Sequence, residues 1–150
     1  MSPRSTQLAA AGYGGLAVLH VNWARGSSWP FADLEAAADQ VTGRPGRALP
    51  SAAACMGVAG LLGLAGLLVL GHPQRHPAVS TAGARGVVLA FSARGVLGMT
   101  GRTDLVSPGS SSEAFRQRDR RVYAPVCLTL ALLSLPATRH SPALAEKGSP

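Results

Sequence analysis

The longest apolar stretch of the chain, LPSAAACMGVAGLLGLAGLLVLG, runs from residue 49 to residue 71 without a charge. Its 23 residues would form a helix long enough, at ~1.5 Å per residue, to cross the ~30 Å hydrocarbon core of a bilayer. A core helix of a soluble protein is usually shorter and has a polar face, whereas this segment has none. Its glycines would weaken a helix in water, but in lipid small residues let a neighbouring helix approach closely. The segment therefore predicts a transmembrane helix.

A second uncharged stretch, STQLAAAGYGGLAVLHVNWA, covers residues 5–24. An apolar run in this position is often a signal peptide that is later cleaved. The positions where a small-x-small cleavage site belongs are instead occupied by Asn22, Trp23 and Arg25. We therefore expect the segment to be retained as a transmembrane helix.

Residues 79–99, VSTAGARGVVLAFSARGVLGM, form a third candidate span that carries two arginines. Arg85 lies near one end, from which its side chain can reach the headgroups. Arg94 needs a paired group or a water-filled neighbour if it lies within the span. A crossing by this segment therefore predicts a partner for Arg94.

A fourth candidate, VYAPVCLTLALLSLPAT at residues 122–138, is apolar but short and contains Pro125. Counted from that proline, about 14 residues reach only ~21 Å. The helix must therefore begin upstream, with Pro125 as a kink of the kind that membrane helices tolerate. Ser110 followed by Glu113 fits a capping box and predicts a helix start near residue 111.

These segments together predict an all-α fold, a four-helix transmembrane bundle that crosses the cell membrane at about residues 5–24, 49–71, 79–99 and 120–138. Residues 1–138 then form a single membrane domain. The polar segment RHSPALAEKGSP, residues 139–150, is expected to be a mobile tail. Four crossings place both termini on one side of the membrane and the segments 25–48 and 100–121 on the other.

The region after the first span is predicted to lie at the membrane surface. Trp23 and Trp29 suit the headgroup belt, where an indole ring stays in an apolar zone while its N–H stays wet. After Pro30, the stretch FADLEAAADQV has acidic residues on one side and apolar residues at helical spacing on the other, namely Phe31, Leu34, Ala38 and Val41. This pattern predicts a short interfacial helix.

Composition supports a membrane protein and argues against several other classes. Charged residues make up 14% of the chain, against roughly 25% in ordinary soluble domains. The net charge of +7 comes from arginines that separate apolar stretches instead of forming a basic face, so we expect no nucleic-acid partner. Two cysteines are too few for a disulfide scaffold or a zinc site, and no metal or cofactor is expected.

The basic residues are also unevenly distributed between the two predicted sides of the membrane. Of the 14 lysines and arginines, five lie on the side of the termini and nine lie on the opposite side. The positive-inside rule places the more basic side in the cytoplasm.

Unusual side chains gather at one predicted membrane boundary, and they form the candidate site: His20, Trp23, Trp29, Arg94, Asp119 and Tyr123. On a helix, Asp119, Tyr123 and Cys127 share one stripe, apart from the shift that a kink at Pro125 introduces. His20 either bonds to a backbone carbonyl or water, or pairs with Asp119 or Tyr123. Such a cluster is either a structural ion-pair network or a ligand pocket.

Two classes of function are consistent with these residues. The first is a non-catalytic membrane component that binds a lipid, a small ligand or another membrane protein. The second is a small membrane redox protein in which Cys55 and Cys127, which enter their helices at similar depth, act as a thiol pair. Free cysteines are commonly small buried hydrophobes, and the sequence contains no recognisable catalytic motif, so the first class is favoured.

Three motifs, LHVNWARGSSWP, ARGVLG and SPGSSSEAFRQRDRRVYAPVCLTLAL, resemble the family of small four-span bacterial membrane proteins known as domain of unknown function 3995. That family tends to show a pattern close to F-x-x-W-D-x-x-x-Y-S-P-L-C before its last helix. Here the pattern falls on Phe115, Asp119, Tyr123, Pro125 and Cys127, with Arg118 in place of the tryptophan and Ala124 in place of the serine. The resemblance implies four helices and a bacterial inner-membrane location, and it implies no activity.

Overall fold

The computed structural model describes residues 3–44, 46, 48–105, 108–110 and 112–139, and every regular element in this part of the chain is helical. The predicted all-α class is therefore confirmed. The predicted mobile tail lies outside the described residues, apart from residue 139. The α-helices are α1 (Pro3–Ala24), α2 (Leu34–Thr42), α3 (Ala52–Val69), α4 (Pro77–Met99), α5 (Glu113–Arg118) and α6 (Ala124–Ser134). A π-helical turn (Asp119–Tyr123) joins α5 to α6, and a 3₁₀ turn (Leu135–Thr138) follows α6.

The last long helix begins two residues later than the sequence suggests. Ser112, and not Ser110, is the N-cap, and its hydroxyl accepts a 3.3 Å hydrogen bond from the amide of Phe115. The capping box predicted from Ser110 and Glu113 is therefore wrong. Both serines satisfy the preference for a hydroxyl at the N-cap, and tertiary contacts decide between them.

The irregularity expected at Pro125 takes the form of a π turn. Proline has no N–H, and its ring clashes with the carbonyl four residues earlier in a regular helix. The preceding turn is widened, so that the amide of Ala124 bonds to the carbonyl of Asp119 five residues back. The helix continues through Pro125 with Asp119 at the start of the wide turn.

The four longer helices pack side by side in the cyclic order α1, α3, α4, α6, each against two neighbours. Their shared core is formed by small and branched side chains around one aromatic ring: Ala9, Tyr13, Leu62, Ala65, Val69 and Leu130. Tyr13 has no exposed surface, and its ring meets that of Phe91 edge-on at 4.9 Å. Its hydroxyl lies 3.1 Å from the hydroxyl of Ser134, which donates in turn to the carbonyl of Leu130 at 2.7 Å.

In the part of the chain that the structure describes, two helices are long and apolar enough to cross a membrane, Ala52–Val69 and the continuous helix Glu113–Thr138. Only 33% and 22% of the residues in their apolar windows are buried, whereas a core helix of a soluble protein would be mostly buried. The segments predicted as spans at 5–24 and 79–99 are helical, as α1 and α4, but they do not meet the same criterion.

The short helix predicted after the first span is present as α2. Its N-cap is Asp33, whose carboxylate accepts a 2.8 Å hydrogen bond from the amide of Ala36. The helix ends at Gly43 in the left-handed conformation, φ +68°, where a Cβ would lie 2.7 Å from the ring of Phe115. It packs on α5 through Ala37 and Ala38, while Leu34 of the predicted apolar face stays exposed.

The hydrogen bonds of Tyr13 predict which of two single substitutions destabilises the protein more. Tyr13→Phe removes one hydroxyl, and Ser134 keeps its bond to Leu130, so we expect a loss of about 1 kcal/mol. Ser134→Ala leaves the tyrosine hydroxyl buried without a partner, and the expected loss is larger, about 1–3 kcal/mol. Thermal unfolding of both purified variants in a mild detergent measures the difference. A Ser134→Ala protein that is the more stable of the two would contradict this account.

Candidate functional site at one end of the helices

Most of the candidate residues lie at one end of the four long helices, which we call the polar end. It is formed by α2, α5 and the loops that follow α1 and α4. The amide of Ser112 donates to the carbonyl of Gly43 at 3.1 Å, and the hydroxyl of Tyr123 donates to the carbonyl of Gln40 at 3.0 Å. These bonds tie the segment after α1 to the segment before α6, so the two predicted motif regions do share one end of the structure.

The centre of the polar end is an ion pair between α4 and the π turn. The guanidinium of Arg94 donates to both carboxylate oxygens of Asp119, at 2.6 Å and 3.3 Å. Asp119 is 0% exposed and the side chain of Arg94 is 26% exposed. Two parallel bonds of this kind are the strongest form of arginine–carboxylate pairing. The partner that the sequence required for Arg94 is therefore Asp119.

Two glycines of α4 make room for this pair. A Cβ on Gly98 would lie 2.7 Å from a carboxylate oxygen of Asp119 and 2.8 Å from a guanidinium nitrogen of Arg94. A Cβ on Gly95 would lie 3.1 Å from the carbonyl of Ala124. The motif ARGVLG thus places an arginine and two glycines on the face of α4 that packs against the last helix.

A separate aromatic group holds the end of α1. The indole N–H of Trp23 donates to the carbonyl of Trp29 at 2.8 Å, and its ring lies 5.0 Å from His20 and 6.4 Å from Phe31. Trp23 is buried and Trp29 is exposed. The prediction that both tryptophans reach the headgroups is therefore wrong for Trp23, which packs inside the loop that follows α1.

His20 does not pair with Asp119 or Tyr123. Its Nδ1 lies 2.8 Å from the carbonyl of Leu16 in the same helix, so Nδ1 carries the proton and donates. Of the two alternatives from the sequence, the backbone carbonyl is the partner. His20 packs on Trp23 and does not contribute to the ion pair.

Tyr123 contacts a different neighbour from Asp119. Its ring lies 6.3 Å from that of Phe115, and its hydroxyl bonds to α2. The π turn widens the helix between Asp119 and Tyr123, and the single stripe expected for a regular helix stays a prediction. Arg118, which was not among the candidate site residues, stacks over the ring of Phe31 at 5.2 Å and links the aromatic group to the chain beside the ion pair.

The two cysteines are free thiols. Cys55 donates to the carbonyl of Pro50 at 3.7 Å in the first turn of α3, and Cys127 lies on α6. Helices α3 and α6 lie across from each other in the cyclic order and are not packed as neighbours. This arrangement gives no support to a thiol pair.

An exposed ion pair lies one turn before the buried one. Arg116 donates to the carboxylate of Glu113 at 2.6 Å. Within the described ranges, no group of three histidine, cysteine or acidic side chains is placed to hold a metal ion.

A cavity of about 570 Å³ opens between the end of α1 and the start of α3. Its walls are largely apolar and include Trp23, Leu34, Leu49 and Pro50. Among the described residues that line it, Glu35 is the only charged one. A space of this size lies within the usual range of small-molecule pockets.

The surroundings of its glycines predict that α4 tolerates an added methyl group at Gly86 and not at Gly98. Gly98→Ala pushes a methyl group against the ion pair, and we expect a loss of about 1–3 kcal/mol. Gly86→Ala on the same helix is the matched control, because nothing lies within 4 Å of its Cβ position, and a change within ~0.5 kcal/mol is expected. Thermal unfolding of both variants in detergent tests this, and equal effects would contradict the close approach at Gly98.

Because Asp119 is buried, removing its charge alone should destabilise the protein much more than removing both charges of the ion pair. Asp119→Asn leaves the Arg94 charge without a carboxylate and is expected to cost about 3–5 kcal/mol. Arg94→Met combined with Asp119→Leu removes both charges and is expected to cost much less. Glu113→Gln, which breaks only the exposed pair, is the control and should leave the unfolding temperature almost unchanged. An Asp119→Asn protein as stable as the Glu113→Gln protein would show that the buried pair is not important for stability.

No curated protein and no solved structure is significantly similar to the chain. A family model described as protein of unknown function, DUF3995, matches residues 13–134. This region contains the whole candidate cluster, from His20 to Tyr123, and most of the chain. The chain therefore belongs to the DUF3995 family, the family that its three sequence motifs resemble.

Proposed function

We propose that the chain is an integral membrane protein that crosses the bilayer four times, through α1, α3, α4 and the continuous helix Glu113–Thr138. In this proposal it is a non-catalytic bundle whose polar end binds a lipid, a small ligand or a membrane protein partner. The observation that carries the proposal is the apolar outer surface. One leucine on each long helix is between 62% and 71% exposed, namely Leu8, Leu61, Leu89 and Leu132. Large exposed apolar surfaces of this kind suit lipid and not water.

The lengths of the two less apolar helices are compatible with spanning. Helices α1 and α4 contain 22 and 23 residues, or about 33 Å and 35 Å, which exceeds the ~30 Å hydrocarbon core. The arginines that lower the hydropathy of α4 both have partners. Arg94 is neutralised by Asp119, and Arg85 donates to the carbonyl of Thr138 at 3.1 Å at the opposite end from the polar end.

The polar groups of the candidate site favour binding over catalysis. Both oxygens of Asp119 are bonded to Arg94, and His20 and Tyr123 each bond to a backbone carbonyl. A general base must lie within hydrogen-bond reach of its substrate, and Asp119 has no exposed surface from which to reach one. We therefore assign the ion pair a supporting role, while the cavity between α1 and α3 offers the space for a ligand.

The excess of arginines at the polar end favours a cytoplasmic position for it, and both termini then lie on the outer side. Helical spans together with the family resemblance favour the bacterial inner membrane. Helix α2 would lie in the interface, with exposed Leu34 towards the lipid and Ala37 and Ala38 against α5.

Single cysteines test the four crossings. In a chain whose Cys55 and Cys127 are replaced by alanine, Arg25→Cys and Asp104→Cys should react with a membrane-impermeant thiol reagent from the same side. Gln74→Cys, in the loop between α3 and α4, should react from the opposite side. Tags added at both termini should be accessible from that same opposite side. The measurement is labelling of intact cells compared with lysed cells.

The same variants contain the control, because position 74 must behave oppositely to positions 25 and 104. Labelling of positions 25 and 104 from different sides would overturn the proposal. Release of the protein from membranes by alkaline carbonate, without detergent, would also overturn it.

A further inference from the structure

A second cavity of the polar end lies outside the cluster described above. It measures about 390 Å³ and lies between α2 and the start of the last helix, lined by Gln40, Ala114, Gln117, Arg118, Arg121 and Val122. Two guanidinium groups and two carboxamides supply its polar surface, and none of the described residues that line it carries a carboxylate. Such a cavity offers hydrogen-bond donors and positive charge to a ligand.

The arginines of this cavity are not paired with the acids of their own helix. Glu113 is bound to Arg116 and Asp119 to Arg94, and Asp39, which precedes Gln40 in α2, makes no ion pair among the described residues. In the described part of the chain, Arg118 and Arg121 make no ion pair with a carboxylate. Arg118 is held in place by its stacking on the ring of Phe31.

The cavity continues into apolar surface. Val122 lines it and is 44% exposed, and Val126 is exposed one turn further along the same helix. Val122 and Val126 are both exposed and lie four residues apart on the same helix, so they form a short apolar strip. Charged donors and an apolar strip therefore meet at the level where the proposed span begins.

We propose that this cavity binds an anionic phospholipid. Arg118 and Arg121 hold the headgroup phosphate, the carboxamides of Gln40 and Gln117 bond to its remaining oxygens, and an acyl chain lies along Val122 and Val126. Guanidinium groups suit this role because their planar donors match two phosphate oxygens at once. The proposal rests on the proposed membrane function and goes further by naming the chemical class of one ligand and its site.

Lipid-dependent stability of the purified full chain tests the site. In a neutral detergent, phosphatidylglycerol should raise the unfolding temperature more than the zwitterionic phosphatidylcholine does, because a ligand that binds only the folded state stabilises it. Arg121→Gln should weaken the phosphatidylglycerol effect roughly tenfold in lipid concentration, because one of two charge-assisted contacts is lost. Arg121 is exposed and has no partner in the described structure, so the variant is expected to unfold at the wild-type temperature without added lipid.

Arg102→Gln is the matched control, because Arg102 is an exposed arginine at the same end that does not line the cavity. An equal loss in Arg102→Gln would mean diffuse attraction and would overturn the site. An equal stabilisation by inorganic phosphate at the same concentration would identify a free anion as the ligand and would overturn the lipid assignment. A wild-type protein that does not prefer phosphatidylglycerol would overturn it as well.

Membrane extraction separates this proposal from the one on which it rests. One outcome is that the Arg121→Gln protein is retained in the membrane in alkaline carbonate and still prefers phosphatidylglycerol as strongly as the wild type does. In that case the lipid site is wrong and the membrane proposal stands. If the wild-type protein is released, the membrane proposal itself fails.

Discussion

The buried carboxylate of Asp119 is the strongest constraint on this structure. An ionised side chain without exposed surface is stable only if an opposite charge reaches it with good geometry, because the cost of losing water is several kcal/mol per ion. Arg94 meets that need with two bonds, and this fixes how α4 and the last helix approach each other. The missing side chains at Gly95 and Gly98 follow from the same requirement, since a Cβ at either position would push the two helices apart.

The π turn connects the ion pair to the rest of the polar end. Asp119 begins the turn and supplies a carboxylate to Arg94 and a carbonyl to the amide of Ala124. Tyr123, at the end of the same turn, bonds through its hydroxyl to the carbonyl of Gln40 in α2. One local irregularity, which Pro125 requires, therefore lets neighbouring residues hold two different elements in place.

The sequence predicted those features that depend on local pattern and on strong physical need. Apolar length predicted the helices, and the cost of a buried guanidinium predicted a partner for Arg94. The sequence did not predict a contact where several groups are equally good partners. A backbone carbonyl and a carboxylate are both good partners for His20, Ser110 and Ser112 are both good N-caps, and the burial of Trp23 depends on a loop that folds back over it. The bond from Tyr123 to Gln40 was not predicted, because the sequence does not show which element packs beside it.

The ion pair and the proposed lipid site both depend on how the acidic and basic side chains are arranged on α5 and the π turn. Each of the two acids in this region is bound to one arginine, Asp119 to an arginine of α4 and Glu113 to one of its own helix. The arginines that remain have no carboxylate in the described structure to balance them. Because the turn places Asp119 inward, Arg118 and Arg121 line the outer cavity beside α2, where a lipid phosphate can supply the missing negative charge. The buried carboxylate therefore needs a partner inside the protein, whereas in our proposal the two surface arginines bind the phosphate of a lipid.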